Sequence, residues 1–183
     1  MEPPRLPRCS AGMKRLTLLL TAALALLLPA GAAAKGPSEA QIAGPGLAAP
    51  LNITGLGEGD SSTNLGLLVA DGGFFPETFG QSPSPLLRTQ PSDLGPRYVV
   101  TYTVPGPVVA ELEQDLYPYA AGGPVTYMRR GQPFWGDQQT VGGWYRGTAQ
   151  LKAMLVKAGL PQSAPGHRHF VSLALAIVRR FLP

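Results

Sequence analysis

Arg97-Tyr98-Val99-Val100-Thr101-Tyr102-Thr103-Val104, then Pro105-Gly106-Pro107, then Val108 through Leu116, is the stretch on which the fold turns. Its first part is dense in β-branched and aromatic residues, which suit a pleated, half-buried surface. The Pro-Gly-Pro segment turns the chain. Beyond it Val108, Ala110, Leu112 and Leu116 alternate with Glu111, Glu113 and Asp115, a period of two that gives a strand one dry and one wet face. Helical winding would mix the acids into the apolar stripe, so the spacing predicts two antiparallel strands. Gly122-Gly123-Pro124 turns the chain again into Val125-Thr126-Tyr127-Met128, a third strand of the same meander.

Upstream, Ala40–Gly44 and Leu51–Gly55 place Ile42, Leu51 and Ile53 at alternating positions between glycine-rich breaks and read as a pair of short strands. Ser61, Ser62 and Thr63 are each able to cap a helix over 62–71, which Gly72-Gly73 ends. Prolines 83, 85, 91 and 96 make Phe79–Pro96 a long surface loop. Gly142-Gly143-Trp144-Tyr145 closes a turn-rich stretch. Thr148 then caps a helix over 149–158, whose Leu151, Met154, Leu155 and Ala158 form one face that packs across the sheet. The expected class is α+β: a small antiparallel meander with one or two packed helices, loop-rich, in a single domain over 35–162.

The first 34 residues read differently. Lys14 and Arg15 precede an uncharged leucine-rich run, Leu16–Leu28, and Pro29 to Ala34 ends in small residues before Lys35. This is the layout of a cleavable signal peptide, with cleavage expected after Ala34, and it places the protein outside the cytoplasm, secreted or in the cell envelope. The alternative is an uncleaved membrane anchor, since Leu16–Ala34 is 19 residues without charge. Met13 is as good a signal start as Met1. At the other end, Phe170–Val178 is nearly all apolar between Arg168 and Arg179-Arg180. A nine-residue helix spans only about 14 Å, so this tail over 163–183 is expected to dock on the domain, to make peripheral membrane contact, or to be the remnant of an anchor.

The formal charge of +4 is mostly leader: Arg5, Arg8, Lys14 and Arg15 against Glu2 leave +1 for the rest. That is too little for counterion-release binding, so no nucleic-acid partner is expected. The single cysteine, Cys9, precedes the apolar run, so the exported part has no disulfide and no thiolate metal site. Export without disulfides, eleven arginines against four lysines, and abundant Ala, Gly and Pro fit a high-GC bacterium.

The chemistry on offer is sparse. His167 and His169, the only histidines, supply two ligands at most, so no metal site and no cofactor are expected. A histidine-based nucleophilic centre needs a rigidly held imidazole, which a chain-end segment does not offer. Glu111, Glu113, Asp115 and Asp137 are the acids that a two-carboxylate hydrolase could use; as residues on a solvated strand face they need no function at all. The densest feature is aromatic. Tyr117, Tyr119, Tyr127, Phe134, Trp135, Trp144 and Tyr145 fall within 29 residues, interleaved with turns. They either fill the core of a domain poor in Ile and Leu or stand exposed as a stacking surface, for which Tyr117, Tyr119, Trp135, Trp144 and Tyr145 are the candidate ligand-binding residues.

The segments Asp115-Leu116-Tyr117-Pro118-Tyr119-Ala120, Gly122-Gly123-Pro124-Val125-Thr126-Tyr127, Gly142-Gly143-Trp144-Tyr145 and Gly159-Leu160-Pro161 resemble a group of uncharacterised exported proteins of actinobacteria. The resemblance covers about a third of the exported part and implies an envelope or extracellular setting, with no activity to carry over. The reading is therefore an exported, non-catalytic binding or structural module of the cell envelope. Its alternatives are a domain binding cell-wall glycan, peptide or an envelope protein through aromatic turns, and a carboxylate-dependent cell-wall hydrolase.

Overall fold

The computed structural model describes residues 36–55, 57 and 61–166. Residues 1–34 and 35–183 are separate units, and the fold is that of the second. The leader, the apolar tail segment and both histidines lie outside the described residues.

Among the described residues, eight strands and three helices follow in order: β1 Glu39–Ala43, β2 Leu51–Thr54, α1 Asn64–Asp71, α2 Phe74–Phe79, β3 Tyr98–Val104, β4 Ala110–Tyr117, β5 Val125–Met128, β6 Pro133–Phe134, β7 Gln138–Gln139, β8 Gly143–Arg146 and α3 Ala149–Lys157. Six strands form one antiparallel sheet in the order β2-β1-β3-β4-β5-β8, so the protein is an α+β domain. The expected hairpin is its centre, with Tyr98 opposite Leu116 and Val104 opposite Ala110. Odd-numbered positions of β3 and β4 face outward, while Tyr98, Val100, Tyr102, Val104, Leu112, Gln114 and Leu116 are buried on the inner face.

The helices cover that inner face. In α1, Thr63 is the candidate cap that is used, its Oγ1 accepting from Gly66 N at 3.0 Å, and Leu65, Leu68 and Val69 enter the core. Thr148 caps α3 by accepting from Leu151 N at 3.2 Å, and Leu151, Met154 and Leu155 join the same core. Among the described residues, sheet and helices therefore make two layers, with the other face of the sheet left open.

Four elements differ from expectation: α2, β8, and the short strands β6 and β7, which pair with each other inside the stretch read as turns. Phe74–Phe79 is a helix where none was expected: it is six residues long, too short to display a period, and Pro76 sits in its first turn, where the missing N–H costs nothing. It is joined to α1 through Gly73, whose φ of 74° is open to glycine and strained for other residues. The segment at Gly142–Tyr145, expected as part of a turn-rich stretch, is edge strand β8. Register explains it: Tyr127 pairs with Trp144 and Thr126 with Tyr145, so β8 adds one more antiparallel strand. The free edge of β8 is closed by the long loop, where Leu87 N donates to Trp144 O at 2.7 Å.

Candidate functional site

The outward positions of β4, β5 and β8 lie in adjacent rows. Asp115 pairs with Tyr127, which pairs with Trp144, and Tyr117 pairs with Val125. Three rings therefore meet on the open face: Tyr127 and Trp144 have centroids 4.5 Å apart with planes at 34°, and Tyr117 lies 6.0 Å from Trp144 at 33°. All three are half-buried. Val125, at an outward register position beside Tyr117, is fully buried although it faces this side. The rings, half-buried, still present area to water.

Tyr127 continues the cluster into a hollow of about 150 Å³, whose other walls are Arg97, Glu113, Asp115, Arg129 and Gln132. The Arg97 guanidinium holds Asp115 at 2.7 Å; the carboxylate in turn raises the arginine above its already high value. Glu113 and Arg129 have no ion-pair partner and no side-chain hydrogen bond among the described residues. The hollow is rigid at its base because of Gln132. This buried side chain accepts from Glu113 N at 2.7 Å and donates to Glu113 O at 2.7 Å and to Arg129 O at 3.3 Å. Its amide thus stands in for a peptide group where β5 has already ended. Burial together with the negative charge of Asp115 raises the Tyr117 phenol, burial being the larger cause.

The remaining aromatic candidates lie elsewhere. Tyr119 packs on Tyr98 at 6.2 Å, its hydroxyl donates to Pro161 O, and Lys152 Nζ sits 5.0 Å from its ring. Trp135 packs against Phe79 and Phe134 and donates its indole N–H to Pro105 O at 2.8 Å. It lines, with Val108, Val109, Glu111 and Phe134, a wider groove of about 460 Å³ at the tip of the β3–β4 hairpin. Tyr145 points to the helix side, its ring against Gly73. The three clustered rings, Tyr117, Tyr127 and Trp144, thus stand on strands and not in turns. Of the acids, Glu113 and Asp115 share the hollow, Glu111 lies in the other groove, and Asp137 lies between β6 and β7, outside both.

A second polar cluster is sealed inside. Glu77, on α2, is fully buried. Gln114 donates through Nε2 to Glu77 Oε2 and, at 2.9 Å, to Gly72 O, while its Oε1 accepts from Tyr102 OH at 2.8 Å. Thr126 Oγ1 lies 2.8 Å from Gly72 O and 3.2 Å from Glu77 Oε1. A hydroxyl has one proton, which Thr126 shares between these two acceptors. Both Gln114 and Thr126 thus donate to the Glu77 carboxyl. Burial nevertheless pushes its pKa up to about 8, against the opposing bonds from Gln114 and Thr126, so the acid keeps its proton at neutral pH. No metal-binding cluster of three or more acids, histidines or cysteines occurs among the described residues, and no helix among them is long and apolar enough to cross a membrane.

Arg97, Arg129, Gln132 and Glu77 were missed in the sequence. The first three enter the site only through register. Glu77 had a signal, an acid enclosed in Phe74-Phe75-Pro76-Glu77-Thr78-Phe79, where its neighbours drive it inward. Comparison with known proteins adds no relative: no family model, curated protein or solved structure matches the chain.

Proposed function

We propose that the protein is an exported, non-catalytic binding module of the cell envelope, and that it holds carbohydrate on the open face of its sheet. One observation carries the reading: Tyr117, Trp144 and Tyr127 gather half-exposed on the face the helices leave uncovered, continuous with a polar hollow. The electron-rich face of an aromatic ring attracts the polarised C–H groups of a sugar, and neighbouring polar side chains fix its hydroxyls. A peptide adding a strand would use a sheet edge, and at β8 that edge is engaged by Leu87. The expected signal peptide supports an envelope setting. Hydrolysis is less well supported, because Glu113 and Asp115 stand side by side on one strand in an open hollow, and Arg97 occupies Asp115. Two carboxyls flanking a bond from opposite sides are what that chemistry needs.

The test is retention of the purified protein on cell-wall polysaccharide, with thermal unfolding measured in parallel, for the wild type, Trp144→Ala and Trp135→Ala. Trp144→Ala should lose retention while unfolding only a few degrees lower. Trp135→Ala should unfold markedly earlier, because it removes a packed ring and a hydrogen bond, and should retain polysaccharide while still folded. Unchanged retention in Trp144→Ala would overturn the proposal; competition by peptides but not by sugars would do the same.

A further inference from the structure

The geometry points to a neutral, hydroxyl-rich oligosaccharide as the ligand class of this face, with one sugar unit seated in the hollow beside Tyr127. The inference rests on the carbohydrate reading above and narrows it. Two guanidinium groups, Arg97 and Arg129, and two carboxylates, Glu113 and Asp115, line the hollow, so its formal charge is zero. Arg97 and Asp115 already neutralise each other at 2.7 Å. Arg129 and Glu113 share the space without pairing, and each has open hydrogen-bonding capacity: the guanidinium only donates and the carboxylate only accepts. A sugar hydroxyl does both at once, and vicinal hydroxyls match the two-pronged geometry of both groups. An anionic chain would gain at Arg129 and lose at Glu113, and a cationic chain would meet the reverse. Neither acquires net attraction. The clamp of Gln132 on the backbone of Glu113 holds this arrangement in place before any ligand arrives.

The experiment titrates the purified protein with three probes by calorimetry: a neutral β-linked gluco- or N-acetylgluco-oligosaccharide, an oligogalacturonate and a chitosan oligomer. Each titration is run at about 0.05 and about 0.5 M NaCl, which brackets weak and strong screening. The neutral oligosaccharide should bind, with a Kd that changes less than about twofold with salt. Glu113→Gln and Arg129→Gln should each weaken it about tenfold, with unfolding midpoints unchanged because both side chains are exposed. Tighter binding of either charged probe, lost in high salt, would overturn the neutral class while leaving a carbohydrate site in place. Failure of all three probes to bind would overturn the carbohydrate reading itself, and with it this inference.

Discussion

Replacing Glu77 by glutamine isolates the buried acid. With its pKa near 8 in the folded protein and near 4.5 when unfolded, Glu77 keeps a proton in the folded state that the unfolded chain has released. Between those values the folded state binds one more proton than the unfolded one, so stability falls as pH rises, by about 1.4 kcal/mol per pH unit. The loss is absent below pH 4.5, reaches about 3 kcal/mol at pH 7, and levels off near 5 kcal/mol above pH 8. In Glu77→Gln the amide oxygen still accepts from Gln114, but the NH2 group replaces the acceptor that faces Thr126 and leaves a buried N–H without a matched partner. That costs on the order of 1–3 kcal/mol at every pH. The variant should thus be slightly less stable than wild type at pH 4.5, comparable or better at pH 7, and clearly more stable at pH 9. Denaturant unfolding of both proteins across this range gives the difference directly, and titrations common to both cancel. A difference that stays constant from pH 4.5 to 9, or that moves against glutamine as pH rises, would refute both the proton count and the burial argument.

Two packing predictions complete the set. Gly73→Ala places a Cβ 2.3 Å from the Tyr145 ring at a positive φ, so it should cost about 2–4 kcal/mol, read as a lowered denaturant midpoint; a neutral result would mean that α2 and β8 are not packed as described. Thr148→Ala removes the cap of α3 and the bond to Asp71 and should cost about 1 kcal/mol, with Thr148→Ser recovering most of it.

The strands over 98–104 and 110–117 were legible because a half-buried strand writes its environment into alternate residues, and both helix caps were legible because a cap is a local hydrogen bond. The helix at Phe74–Phe79 was not, because six residues hold too little pattern to separate from a loop. Tyr117 and Trp144 were both candidates from aromatic density alone, but that density could not separate them from Tyr119, Trp135 and Tyr145. Trp144 and Tyr145 are neighbours in the chain, yet one faces solvent and the other faces Gly73. Only the register of β8 against β5 decides which.

What the chain determined by itself is the set of things that depend on near neighbours: an antiparallel meander, two capped helices, and a nearly neutral stretch over 35–183 without cysteine. The tertiary structure decided which side chains share a surface. Arg97 and Arg129 are 32 positions apart and meet at one hollow, and Glu77 reaches Gln114 and Thr126 on two different strands. Such contacts are set by strand pairing and by which face the helices cover, and those are properties of the folded whole that no local spacing encodes.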